Sequence, residues 1–172
     1  MVREIPIAIS ACLLGEQVRY DGQHKLQDWI TQMENIEWLP VCPEVEAGMG
    51  VPREKIQVEL VDGDLRLMGI SSRHDWTVAI DQQACQRIEW LKSRKICGYV
   101  LKSRSPSCGI ESVPVWSERL PEPVSLGNGR FVDRLVEQWR DLPLADETML
   151  QQEQGRQQFL QQVRDYWTHQ QD

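Results

Sequence analysis

Residues 98–109 read GYVLKSRSPSCG. Tyr99, Val100 and Leu101 are an apolar run closed by Gly98 on one side and Lys102 on the other, the pattern of a short buried strand. The segment then turns polar and stiff. Pro106 fixes its own φ and pushes Ser105 toward an extended conformation, so Ser105-Pro106-Ser107 is turn chemistry. It delivers Cys108, followed by Gly109, whose backbone can approach a bound group closely. A cysteine on a stiff turn just past a buried strand suits ligation. Simple packing is the alternative, because free cysteine is among the most buried residue types.

Two further stretches share this form. IPIAIS, residues 5–10, leads into Ala11-Cys12 and a turn closed by Gly15. WLPV, residues 38–41, leads into Cys42-Pro43-Glu44. In an open parallel sheet, ligands collect at the carboxyl ends of the strands. Strand, cysteine, turn, written three times, predicts that Cys12, Cys42 and Cys108 converge at one sheet edge with their sulfurs close together.

The composition bounds the class. The chain has 172 residues, 41% of them apolar, and 26 acidic against 19 basic residues, for a net charge of −7. That length suits one domain over residues 1–172 with a sizeable core. No apolar run approaches the roughly 18 residues of a membrane span. MVREIPIAIS enters a strand with no apolar leader region, so a cytoplasmic protein is expected, as a monomer or weak homodimer. The acidic balance argues against a nucleic-acid partner without excluding a small nucleobase. Five cysteines in a reducing compartment point to metal binding or catalysis rather than to disulfides.

Working outward, Asp21-Gly22 signals a turn, and Leu26, Trp29, Ile30 and Met33 have the spacing of a short helix. Arg19, Tyr20, Asp21 and His24 lie between the first cysteine and that helix, where a loop could fold over a site at the strand ends. The second cysteine opens CPEVEAGMGVPREK, in which Gly48 and Gly50 imply special backbone geometry. Residues 55–61 and 65–70 flank Asp62-Gly63-Asp64 as a β-hairpin.

A helix from Trp76 carries Cys85, read as packing or bystander. Cys97 opens the third strand and so belongs at its far end. Beyond Gly109 the chain reads as a loop through Pro114, Pro121 and Pro123 to Gly127-Asn128-Gly129. A helix over 131–139 and a strand over 142–145 follow. Thr148-Met149-Leu150-Gln151 has capping-box form and starts the last helix, whose Phe159, Leu160, Val163, Tyr166 and Trp167 make a core-packing stripe. The fold class is α/β: a Rossmann-like open, mostly parallel sheet with flanking helices, the hairpin an insertion or an antiparallel edge.

Three thiolates with no histidine nearby in sequence favour soft-metal chemistry. Zinc is one possibility, although structural zinc sites usually show close Cys-x-x-Cys pairs and none occurs here. An iron–sulfur cubane tolerates distant ligands, and three cysteines leave one iron open. Spacing does not separate these options. A non-catalytic metal-binding or redox-sensing module would use the same triad.

ISACLLG…VRYDG over 9–22, VCPEVEAGMGVPRE over 41–54 and GYVLKSRSPSCG resemble the signature segments of the TudS-type thiouracil desulfidase family, long known as a bacterial domain of unknown function. GNGRF over 127–131 and the pattern from Glu147 through Arg156 to Phe159 resemble it too. The resemblance implies a [4Fe–4S] cluster held by Cys12, Cys42 and Cys108, whose remaining iron takes the sulfur of a small thiolated pyrimidine. It places the catalytic glutamate in CPE, hence Glu44 with Glu46 as fallback. It places the catalytic serine in SPSC, hence Ser105 with Ser107 as the other choice. The reaction implied is hydrolytic, thiouracil and water giving uracil and hydrogen sulfide without net electron transfer. An enzyme on thiolated tRNA is the remaining alternative, and the absence of a basic stripe counts against it.

Overall fold

The computed structural model describes residues 3–171. Strand β1 (Ile5–Ser10) is central in the first sheet, with β2 (Ile36–Val41) on one side and β5 (Tyr99–Leu101) on the other; β8 (Leu144–Asp146) completes the order β2-β1-β5-β8. Every pairing in it is parallel, in register Ile5 with Ile36, Ala8 with Tyr99 and Tyr99 with Leu144. Ile7, Ala8, Ile9, Tyr99, Val100 and Leu101 are all fully buried. Continuous apolar strands of this kind need cover on both faces, and they have it. Helices α2 (Thr77–Ser93) and α3 (Arg130–Gln138) pack Ile80, Ile88 and Leu135 with Ala8 and Leu101. Helix α4 (Glu153–His169) packs Phe159 and Val163 with Ile7, Ile9 and Val100, joined by Trp29 from the short 3-10 turn Asp28–Gln32. The expected helix near Leu26 is no longer than that turn.

The second sheet was not expected. Strands β3 (Ile56–Val61) and β4 (Asp64–Gly69) form the hairpin, but they belong to a separate sheet of order β4-β3-β6-β7. Its other half, β6 (Val113–Ser117) and β7 (Ser125–Gly127), comes from the stretch read as a loop. Pro114 misled that reading. It pairs only with Leu126 of β7, while the parallel pairing with β3 covers Val115 to Ser117, so the missing N–H of proline is not needed there.

Two boundaries also differ. Cys42-Pro43-Glu44 is not an open turn but the start of a one-turn helix, α1 (Pro43–Glu46), with proline at its first position. The last helix begins at Glu153 rather than near Thr148. Asp146 closes a turn there first, accepting from the amides of Thr148 at 2.9 Å and Met149 at 3.1 Å, and Leu150 is buried beneath it. Among the described residues no helix is long and apolar enough to cross a membrane.

Candidate active site

The carboxyl ends of β1, β2 and the turn after β5 open into one cavity of about 570 Å³, walled on the other side by Ile56, Val58 and Trp116 of the second sheet. Cys12, Cys42, Cys108, Glu44 and Ser105 all line it. Parallel strand direction explains the gathering. Cys12 sits in the 3-10 turn directly after β1, and Cys42 is the residue between β2 and α1. Cys108 follows a tight turn in which Ser105 Oγ accepts from the amides of Ser107 at 3.3 Å and Cys108 at 3.1 Å.

That turn is clamped from outside. The first amides of α3 donate into it, Arg130 to the Pro106 carbonyl at 2.9 Å and Phe131 to the Ser107 carbonyl at 3.1 Å. A Cβ on Gly129 would stand 2.3 Å from the Ser107 carbonyl carbon, so only glycine allows this approach. Glu147 holds the turn's other end. Its buried carboxylate accepts from Lys102 Nζ at 2.6 Å and from both the hydroxyl and the amide of Ser103 at 2.7 Å. Burial pushes the Glu147 carboxyl up, but the hydrogen bonds from Lys102 and Ser103 outweigh it and the net shift is down.

The thiols share an environment. Burial raises Cys12 to about 11, with the neighbouring Cys42 adding to it. Cys42 is raised by burial, and Cys108 is raised well above the ordinary thiol value by burial and then by Cys42. Three thiols, two buried and Cys42 half-buried, that resist ionisation in one another's presence are a donor set suited to a shared cationic group, which reverses that preference. They ring a cavity rather than a point: among the described residues no three Cys, His, Asp or Glu side chains gather as the ligands of a single metal ion. Tyr99, fully buried in the same apolar cluster as Cys108, has a hydroxyl with no hydrogen-bond partner.

Cys97 lies before β5, buried at the opposite end of that strand, with its thiol directed to the Lys95 carbonyl. Cys85 is exposed on α2, so it is a bystander rather than a packing residue.

The one-turn helix separates the two candidate glutamates. Glu44 faces the cavity; its Oε1 accepts from Ser107 Oγ at 2.9 Å, and its Oε2 accepts from Arg53 Nε at 2.7 Å. Glu46 turns to α2 and pairs with Gln83 and Arg87. Ser105 lines the cavity, whereas Ser107 is fully buried and bonded to Glu44. Of the loop after Cys12, Arg19 and Tyr20 line the cavity, while Asp21 and His24 make local turn bonds instead. Arg19, Lys25, Lys55 and Arg104 bring positive charge to the lining of an otherwise acidic protein. Sequence reasoning missed Arg53. Its only signal was a place in the quoted VPRE segment, directly after Gly48 and Gly50, which do adopt positive φ, 90° and 77°.

The class is that of α/β proteins with a ligand site at the carboxyl edge of a parallel sheet. Within it the chain belongs to the 2-thiouracil desulfurase family, whose profile matches residues 7–147 and so spans all three cavity cysteines, Glu44 and Ser105. Membership places it among desulfurating enzymes. A solved structure described as the [4Fe–4S]-dependent thiouracil desulfidase TudS is similar, with TM-score 0.68 and 28% identity over 86% of this chain and 93% of that one. An uncharacterised protein of Bacillus subtilis (strain 168), YbbK, is 27% identical over 110 residues, 60% of this chain and 72% of YbbK.

Proposed function

We propose that this chain, one domain over residues 1–172, is a cytoplasmic, non-redox desulfidase. It converts a small thiolated pyrimidine and water to the oxo-pyrimidine and hydrogen sulfide, thiouracil giving uracil. The observation that carries this reading is one cavity lined at once by three thiols, a carboxylate and a hydroxyl from separate segments. Cys12, Cys42 and Cys108 would hold a [4Fe–4S] cluster, and their spread around a cavity suits a polynuclear group better than a single zinc ion. When bound, a cubane with one iron free of cysteine supplies a Lewis acid for the soft thiocarbonyl sulfur.

The remaining work falls to the protein. Glu44 has one oxygen occupied by Arg53 and the other by Ser107, which leaves a lone pair of Oε1 for a water in the cavity. It acts as the general base that takes a proton as water attacks the ring carbon. Ser105 accepts two amide protons, so its own hydroxyl proton is free to be donated to the pyrimidine edge. The apolar wall of Ile56, Val58 and Trp116 gives the ring a dry face to lie on.

The test is anaerobic release of sulfide and uracil from 2-thiouracil and, separately, 4-thiouracil. Protein with a full cluster and no turnover of either would sink the assignment. A second reading, a thiolated pyrimidine carried on RNA, draws support from Arg19, Lys25, Lys55 and Arg104 at the cavity. Turnover of thiolated tRNA in preference to the free bases would establish it. Sizing of the purified protein should show a monomer or weak homodimer.

A further inference from the structure

Arg53 has one of the least exposed basic side chains at the cavity, at 6%. Its guanidinium is almost fully used. Nε and Nη2 both donate to Glu44 Oε2 at 2.7 Å, Nη2 also to the Val18 carbonyl at 2.9 Å, and Nη1 to the Gly50 carbonyl at 2.9 Å. Its own amide donates to the Tyr20 carbonyl at 2.9 Å. Val18 and Tyr20 follow Cys12, while Glu44 and Gly50 follow Cys42. One side chain thus joins the loops behind two of the three thiols. The Val18 carbonyl lies 3.9 Å from Cys42 Sγ as well.

The geometry points to Arg53 as the positioning residue for Glu44, an inference that rests on the reading of Glu44 as the base. A carboxylate on a one-turn helix has free rotation about its side-chain bonds unless something holds it. The two N–H bonds converge on the one oxygen Oε2, from a guanidinium itself pinned by the Val18 and Gly50 carbonyls, while Ser107 Oγ holds Oε1, so the carboxylate is fixed at both oxygens where a single contact would let it turn. With Oε2 saturated by the arginine fork, the reactive lone pair is confined to Oε1. The Ser107 hydroxyl occupies one side of that oxygen, and the cavity side is left for water. A lysine cannot substitute. Its ammonium keeps the charge but is a point donor on a flexible stem, so the carboxylate would be attracted without being oriented.

A double-mutant cycle on the cluster-loaded protein tests this, using Arg53→Lys, Glu44→Gln and the pair, with thiouracil as substrate. Iron and sulfide content, melting temperature, kcat and KM are read for each. Arg53→Lys is expected to keep its cluster and to hold KM within about threefold. Its kcat should fall by roughly 10–100-fold, the scale of a displaced reacting group. In the Glu44→Gln background the same change should cost less than about threefold, because the group it positions is already disabled. Arg53→Ala supplied with guanidinium ion should recover part of the lost kcat.

Equal losses in both backgrounds would overturn the inference, since Arg53 would then act through something other than Glu44. A wild-type kcat in Arg53→Lys would overturn it too. So would loss of cluster or fold in Arg53→Lys together with no guanidinium rescue of Arg53→Ala, which would make the residue structural. Each of these leaves the proposed reaction standing, whereas a loaded wild-type protein inert toward thiouracil removes both readings together.

Discussion

The two sheets wall the same cavity but follow opposite plans. In the parallel sheet Ile7, Ala8, Ile9, Val100 and Ala145 are fully buried and helices cover both faces. In the second sheet Leu60 is 39% exposed, Leu65 38% and Leu126 67%. The difference shows what each contributes. Parallel strands all end on one side, so their following turns bring chemistry-bearing residues together from distant sequence. The mixed sheet brings few such residues to one edge. It offers Ile56, Val58 and Trp116 as a wall. On this view, changes at the parallel edge should abolish function and changes on the second sheet's open face should not.

The largest effect is expected at the thiols. Changing Cys12, Cys42 or Cys108 to Ser should reduce iron in anaerobically reconstituted protein to background, while Cys85→Ser and Cys97→Ser retain it. Iron analysis decides this, and full iron in any of the first three would break the comparison at its centre. Next comes Glu44→Gln, which should keep the cluster and lower turnover by roughly 10²–10⁴-fold, the range for loss of a general acid–base group. Ser105→Ala should lower it less, because water can replace a hydroxyl. Glu46→Gln, facing Arg87 and Gln83 away from the cavity, should leave kcat near wild type.

A stability effect ranks third. Glu147→Gln removes the charge partner of Lys102 and should cost about 2–3 kcal/mol in denaturant melts of the cluster-free protein, somewhat below the loss for a fully buried pair. The folded-state carboxyl lies below its ordinary value. Its contribution is therefore complete above the unfolded glutamate pKa of about 4.3 and is lost as pH falls through the lower folded value. The substitution should flatten the acid limb of stability there; an unchanged limb would mean the ion pair contributes nothing. Smallest of all, Leu126→Thr on the outer strand of the second sheet should change stability by less than about 0.5 kcal/mol and leave turnover alone.

Much of the parallel sheet was legible because buried parallel strands are near-continuous apolar runs with sharp ends. IPIAIS and YVL announce themselves, and the cysteine after each is fixed by chain direction alone. The hairpin half of the second sheet was legible too, and its other half was hidden because β7 spans only Ser125–Gly127 and β6 contains Pro114. Short strands of that kind are held by their partners, β6 by β3 above all, and partners far apart in sequence leave no local period to detect.

The sequence by itself determined the α/β class, the three strand-end cysteines and the family to which the chain belongs. Only the tertiary structure decided which glutamate faces the cavity. Residues two apart on a helix differ by about 200° in direction, so Glu44 and Glu46 must point to opposite sides once α1 forms. A composition of carboxylates and prolines cannot say which side is which. Arg53 and Ser107 do. Ser107 reaches Glu44 only after the strands have aligned, since a hydrogen bond across 63 residues needs a fold to bring its ends together.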